Sequence, residues 1–391
     1  MGSLERCVAM RDHSGIAASV VIVGASAAGL ASAACLKRQG VDYILLEQSE
    51  RVAVRWRNQY DRLHLHTNRG LSGLPYRPMP SSYPRYPSRD QVVAYLEEYA
   101  EQLQLAPRFG QTVVSIEPRD SGWMTITKET SYSSRFVVIA TGNAREPQMP
   151  SFPGMDRFRG TVLHSRDYRS GAAYRGQSVL VVGFGNSGGE IAIDLYEQGA
   201  RPALAVRGAV NVIPRDVFGI PVLAIAVYAP KGPPAVSDFL FAPLISLVVG
   251  DITKLGLRTL PYGPQQQIAR DRRIPLLDIG TIKHIRESHI AAYPGITRFT
   301  EAGVVFEDGR ELEVGAVIMA TGYRPALHDF LPAAARVTDA SGTPLVSGRE
   351  SPLPGLFFCG FHVAPTGMLR EIGIEAQRIA RAIGAGRHNP V

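Results

Sequence analysis

The chain of 391 residues has only three cysteines, Cys7, Cys35 and Cys359, far apart in sequence and with no C-x-x-C pair. This excludes a disulfide framework, a cysteine-type zinc site and a dithiol oxidoreductase, and a reducing, cytoplasmic location is expected. Long hydrophobic runs are missing too. The most apolar stretch, Phe239 to Val249, contains Pro243 and ends at Gly250-Asp251; at about a dozen residues it is too short to cross a bilayer. A buried helix is expected there first, a substrate-channel wall second and a shallow membrane contact third. Met1 to Ala18 has Arg, Asp, Glu and His but no apolar core of the kind an export signal needs, so residues 1–17 read as a flexible arm. Lysine is scarce beside arginine, and the basic residues behind the net charge of +7 are scattered without a sustained run. Nucleic acid is therefore not an expected partner, whereas anionic cofactors and acidic substrates are. Neither a Ser/His/Asp triad nor a metal-ligand cluster is visible, and no metal is expected.

What the chain does have is two glycine-rich turns. The first, Val-Val-Ile-Val-Gly24-Ala-Ser26-Ala27-Ala28-Gly29-Leu, runs from an apolar strand into an alanine-rich helix, and Ser26 replaces the usual middle glycine. The second, Ser178-Val-Leu-Val-Val-Gly183-Phe-Gly185-Asn186-Ser187-Gly188-Gly-Glu, repeats the pattern. In such a turn the first glycine allows the tight bend, the second lets backbone N–H groups approach a pyrophosphate, and the third packs helix on strand. About 23 residues after Gly24, Tyr43-Ile-Leu-Leu-Glu47-Gln48 ends a second strand with an acid placed to accept from a ribose hydroxyl pair. The matching strand of the second unit, Ala203-Leu-Ala-Val206, ends in Arg207, which suits the 2′-phosphate of NADPH. The first site thus fits the adenosine of FAD and the second that of NADPH.

Between these landmarks, Arg51 to Pro87 is long, aperiodic and rich in Pro, Tyr, Arg and His, a length that usually has a use. Ser88 to Leu105 reads as a capped helix, followed by a short antiparallel meander. Arg135-Phe-Val-Val-Ile-Ala140-Thr141-Gly142 is echoed by Ala316-Val-Ile-Met-Ala320-Thr321-Gly322-Tyr-Arg-Pro. Each strand is expected to pass close to a nucleotide and then cross between domains, with Pro147 to Pro153 as the first linker. Pro354 to Gly360 again runs an apolar strand into a glycine, and Glu371 to Ala385 reads as a closing helix. The expected fold is α/β, with two Rossmann-like dinucleotide-binding domains for FAD and NADPH, the second inserted into the first. The FAD-binding domain is expected over 18–165 and 310–391. The NADPH-binding domain is expected over 166–309, with an apolar insertion at about 216–265.

Phe158-Arg-Gly160-Thr-Val-Leu-His164-Ser-Arg-Asp-Tyr168 matches the F-x-G-x-x-x-H-x-x-x-Y/F signature of class B flavin-dependent monooxygenases. It falls between the two turns, and the resemblance extends from about Ala18 to Ile383. Within that family the chain is most similar to the plant YUCCA-type enzymes and their bacterial relatives. The words that carry this are Arg57-Asn-Gln-Tyr60-Asp-Arg-Leu-His-Leu-His66, Tyr83-Pro-Arg-Tyr-Pro87, Val206-Arg207 followed by Ile213-Pro-Arg215, and Ile274-Pro-Leu-Leu-Asp278-Ile-Gly280. The resemblance implies an FAD- and NADPH-dependent monooxygenase acting through a C4a-(hydro)peroxyflavin on a small organic substrate. A 2-oxo acid such as indole-3-pyruvate, decarboxylated oxidatively, is one candidate. Thr67-Asn68 departs from the YUCCA pattern and is similar to the Thr-Asn of N- and S-oxygenating members, so oxygenation of an amine or sulfide stays open. An NADPH-dependent flavoprotein reductase is the reading from another class.

Asn68 is the candidate catalytic residue, placed to hydrogen-bond the peroxide or the nicotinamide ribose; an Asn in a turn is the alternative. Candidate cofactor contacts beyond the two turns, Glu47, Gln48 and Arg207 are Arg55, Trp56, His66, Thr141, Gly142, His164, Thr321, Gly322 and Gly360. Expected partners are a small-molecule substrate and O2. A homodimer is left open, and membrane contact is not expected.

Overall fold

Strand β1 (Ile16–Val23) is buried over its last four residues because it is flanked on both sides. It pairs in parallel with β2 (Tyr43–Leu46) and β5 (Ser131–Ile139), and the antiparallel meander β3 (Val113–Arg119) and β4 (Gly122–Thr127) extends the sheet in the order β2-β1-β5-β4-β3. The computed structural model describes residues 16–120, 122–228 and 232–386. Most of the expected 1–17 arm lies outside these residues, and Ile16 and Ala17, expected to be in it, open β1 instead.

Helix α1 (Ala27–Arg38) buries ten of its twelve residues, because it is wedged between this sheet and the C-terminal helix; its alanines let the neighbours come close. Helix α2 (Val54–Arg57) is the only α-helix in the long 51–87 segment. Helix α3 (Arg89–Gln102) starts as the sequence suggests, with a capping box in which Ser88 Oγ accepts from Gln91 N–H and Gln91 Oε1 accepts from Ser88 N–H.

A two-stranded ribbon joins the halves: β6 (Glu146–Pro147) lies antiparallel to a late strand, Tyr323–Arg324. Beyond it, β7 (Thr161–His164), β8 (Ser178–Val182) and β9 (Arg201–Ala205) belong to a second, all-parallel sheet, with α4 (Asn186–Glu197) connecting the last two. The insertion follows. It comprises β10 (Val212–Pro214), the hairpin β11 (Asp216–Val217) and β12 (Ile220–Pro221), and helices α5 (Val222–Tyr228), α6 (Pro234–Val249) and α7 (Pro264–Asp271), closed by β13 (Leu276–Asp278) pairing with β10. Helix α8 (Thr281–Arg286) and strand β14 (Ala291–Tyr293) return to the second sheet. A small antiparallel sheet, β15 (Ile296–Phe299), β16 (Gly303–Phe306) and β17 (Glu311–Glu313), covers one side. Strand β18 (Ala316–Met319) completes the order β14-β9-β8-β18-β7, β19 (Tyr323–Arg324) is the ribbon partner of β6, and β20 (Leu356–Phe358) pairs with β5 in the first sheet. Helix α9 (Met368–Gly386) then packs on α1.

Two expectations need correction. Strands β7 and β18 sit in the second sheet, whereas boundaries at 165/166 and 309/310 put both in the first domain. The chain changes halves at the ribbon, just after Gly142 and Gly322, each with positive φ. Helix α6 is also not buried: Phe239 is 80% exposed and Leu247 74%. Its one charge, Asp238, turns inward and accepts from the Gln265 and Gln266 N–H groups at the start of α7. Among the described residues no helix is long and apolar enough to cross a membrane.

Candidate active site

The two glycine turns are built alike. At the first, Gly24 has φ +103°, and a methyl group there would lie 2.9 Å from the Ala140 carbonyl oxygen; one on Gly29 would lie 1.7 Å from the Gly24 oxygen. At the second, Gly183 has φ +114°, and the corresponding distances are 2.4 Å to Ala320 O and, for Gly188, 2.2 Å to Gly183 O. This accounts for the Ala-Thr-Gly echo: in each half the strand ending in alanine runs its carbonyl beneath the first glycine. Ser26 and Gly185 are the N-caps of α1 and α4, with φ −98° and −93°, so an L-residue fits at Ser26 without strain. Neither helix start has a side-chain cap, and Ala27 and Ala28 are too small to block the approach. Uncapped N–H groups behind a tight glycine turn fit a dinucleotide pyrophosphate.

Glu47 closes over the first turn, its Oε2 accepting from Ala25 N–H at 2.7 Å and its Oε1 from Ser49 N–H and Oγ–H. Gln48 is exposed beside it. Arg207 stands just past β9, exposed and without a salt bridge among the described residues, so its guanidinium is available to a phosphate.

At the far end of the first turn several polar atoms converge. Thr141 Oγ1 and Asn143 Oδ1 are buried without hydrogen-bond partners among the described residues. Such orphans call for an absent polar group, and a flavin ring with its carbonyls and ring nitrogens fits there. Gly142 follows in a left-handed turn. Arg55 bonds the Ala144 carbonyl and lies over the Tyr323 ring at 5.3 Å, bridging the two crossing segments. Trp56 packs on the first core. Thr67 is buried against Gly367, and Asn68 caps the 3-10 turn Arg69–Leu71, its Oδ1 accepting from Leu71 N–H at 3.1 Å. The turn reading of Asn68 is thus realised through its oxygen; the residue is half-buried, and its amide nitrogen remains as the donor.

Gly360 N–H is already taken by Glu375 Oε2 at 2.5 Å, and a methyl group on Gly360 would meet Ala28, so Gly360 acts by packing and not as a free donor. Burial holds the Glu375 carboxyl above its ordinary value. A raised folded-state value gives stability that is complete in acid and lost as pH rises through it. Glu375→Gln, which cannot ionise, is therefore expected to gain on the wild type in thermal midpoint as pH rises above the ordinary carboxylate range. A gap that does not change with pH contradicts this role.

The Phe158-to-Tyr168 signature is structural. Phe158 packs edge-on against Phe299, and a methyl group on Gly160 would strike the Phe158 ring and the Gly315 carbonyl. His164 accepts from Arg166 N–H at Nδ1 and faces the Gly322 carbonyl with Nε2 at 3.1 Å, so both ring nitrogens are used by backbone. Burial lowers its pKa, favouring the neutral ring. Both His164 and Thr321 hold the linker through backbone, Thr321 by its hydroxyl on Gln148 O across the ribbon. Tyr168 donates to Asp194 Oδ2 at 2.5 Å inside α4.

The 51–87 segment is a strap laid across the second half. Tyr60 is buried in the second core beside Tyr168, Arg62 grips Glu197 with two 2.8 Å bonds, and Arg85 donates to Gly219 O. Between strap and α4 lies a cleft of about 530 Å³ whose lining includes Arg62, His64, His66, Tyr86, Glu190 and Arg215. Arg215 stacks on Tyr86 at 4.0 Å. His66 faces Glu190 here, at 2.7 Å, across the interface. Glu190, Asn143 and Glu375 were not foreseen. The sign for Glu190 is an acid followed directly by the buried run Ile191 to Leu195. Away from the cleft, and against the expectation of no metal-ligand cluster, His284, Glu287 and His289 bring ligand-type atoms within 4.8 Å of one another near the end of α8.

Comparison with known proteins bears on this geometry. The pyridine nucleotide-disulphide oxidoreductase family matches residues 21–216. Indole-3-pyruvate monooxygenase YUCCA1 of Oryza sativa subsp. japonica is 40% identical over 316 residues, covering 80% of this chain and 78% of that protein. Indole-3-pyruvate monooxygenase YUCCA6 of Arabidopsis thaliana is 37% identical over 377 residues, 93% of this chain and 89% of that one. Among solved structures, a flavin-containing monooxygenase from Stenotrophomonas maltophilia superposes with a TM-score of 0.73 at 24% identity, covering 95% of this chain and 99% of the other. Cyclohexanone monooxygenase from Rhodococcus sp. Phi1 bound to NADP+ gives 0.73 at 18% identity, covering 97% and 86%. These two likenesses speak to the two-domain fold.

Proposed function

Because this chain belongs to the pyridine nucleotide-disulphide oxidoreductase family and, within it, to the YUCCA-type flavin-dependent monooxygenases, we propose that its substrate is an aromatic 2-oxo acid of the indole-3-pyruvate kind. The enzyme uses FAD and NADPH. In the proposed reaction the 2-oxo acid, O2, NADPH and a proton give the acid one carbon shorter, CO2, NADP+ and water. A bound flavin would supply the oxygen-activating chemistry. The observation that carries the substrate class is the 40% identity over 80% of the chain to a relative named for indole-3-pyruvate. The cleft supports it: aromatic Tyr86 and the cations of Arg62, Arg85 and Arg215 suit a flat ring bearing a carboxylate.

The chain's own part is to position and to exclude water. The strap seals the interface through Tyr60 and Arg62, and Asn68 presents an amide donor at its inner edge. Asn68→Ala is expected to raise the ratio of H2O2 released to NADPH consumed; unchanged coupling would remove Asn68 from the reaction.

Under ¹⁸O2 with indole-3-pyruvate, one labelled oxygen is expected in the product carboxylate, with one CO2 per NADPH. Recovery of unreacted indole-3-pyruvate, with oxygenation of an added amine or sulfide, would replace the 2-oxo acid by the N- or S-oxygenation reading.

A further inference from the structure

The second glycine turn fixes the middle of NADPH, since its pyrophosphate belongs at the start of α4 beside Gly185. From there the nicotinamide half has to cross the cleft toward the strap to reach a flavin in the first half. One helical turn beyond Asn186, α4 turns Glu190 into that cleft, and the strap brings His66 to meet it.

The pair is not a finished ion pair. Glu190 is 2% exposed, and its Oε1 lies 2.7 Å from His66 Nε2. Yet among the described residues neither carboxylate oxygen and neither ring nitrogen finds a properly directed hydrogen bond, so four buried polar atoms stand unsatisfied together. Unsatisfied buried polar atoms are costly, and a cluster of them lining a cleft marks a place that a ligand completes.

The chemistry of the vacant valences is specific. A carboxylate only accepts, and an imidazole has one N–H to donate, so the complementary group must offer an N–H and a carbonyl side by side. A primary carboxamide does so, and NADPH carries one on its nicotinamide ring. A substrate carboxylate is repelled there by Glu190 and finds its cations at the arginine end of the cleft. We propose that Glu190 and His66 form a carboxamide site that holds the nicotinamide of NADPH across the two halves. Glu190 accepts from the amide N–H and His66 donates to the amide carbonyl. This inference rests on NADPH as the reductant and is independent of which substrate is oxygenated.

Calorimetric titration of the FAD-loaded enzyme tests it without turnover. The probes are NADP+, its 3-acetylpyridine analogue, which keeps the carbonyl and lacks the N–H, and 2′,5′-ADP, which has no nicotinamide. The wild type is expected to prefer NADP+ over the analogue by about tenfold or more, the usual scale for a hydrogen bond to a charged acceptor. Glu190→Ala is expected to erase that preference by weakening NADP+ about tenfold, with 2′,5′-ADP unchanged. His66→Phe is expected to weaken NADP+ and the analogue alike. Equal binding of NADP+ and the analogue by the wild type would overturn the site, a result that needs no variant to fold. So would an equal loss of NADP+ and 2′,5′-ADP in Glu190→Ala, or a preference that survives it.

Discussion

Gly29→Ala protein is expected to purify without flavin, whereas Gly188→Ala protein keeps its flavin and is barely reduced by NADPH. In both cases the new methyl group overlaps a backbone carbonyl, at 1.7 Å from Gly24 O and 2.2 Å from Gly183 O. A flexible side chain would swing aside. A carbonyl inside a tight turn cannot, so the helix start has to move off its strand, at a cost of about 1–3 kcal/mol or more. That displacement dismantles one pyrophosphate site and leaves the other alone, because the two turns lie on separate sheets. The ratio of flavin to protein absorbance reads the first effect, and the anaerobic rate of flavin reduction by NADPH reads the second. Loss of flavin from Gly188→Ala would contradict the assignment of the two turns.

Arg207→Ala is expected to weaken NADPH by about 10- to 100-fold while leaving NADH nearly unchanged, which is the worth of a hydrogen-bonded charge on the 2′-phosphate. The arginine is exposed and forms no salt bridge among the described residues, so its removal carries little structural cost. Steady-state KM for the two nucleotides measures the effect. An equal change for both would return Arg207 to the role of a surface cation.

The turns were legible in the sequence because their glycines answer a backbone contact that no side chain tolerates, and spacing alone records it. The echo at Ala140 and Ala320 was legible for the same reason: each sits under the first glycine of its turn. Where the chain changes halves was not. Nothing local in Thr161-Val-Leu-His164 says which of two parallel sheets it will join; that is decided by pairing with β18, more than 150 residues away. Helix α6 misled in the opposite sense, since a largely apolar run reads as buried, and here its outer face is left in the open. The side chains of His164 and Thr321 bond linker backbone, a use that their place in the sequence motif does not reveal. Glu190 and Glu375 escaped notice because an acid on a helix reads as a solvated face, and only the fold turns each of them inward.

The most direct test of an NADPH-dependent flavin monooxygenase is rapid-mixing absorbance. The enzyme is reduced by one equivalent of NADPH without oxygen and then mixed with O2. The account predicts fast flavin reduction by NADPH and a near-ultraviolet transient between the reduced and reoxidised spectra, longer-lived when NADP+ remains bound. Reoxidation straight to the starting spectrum, with one H2O2 released and no dependence on NADP+, would contradict it and favour a reductase.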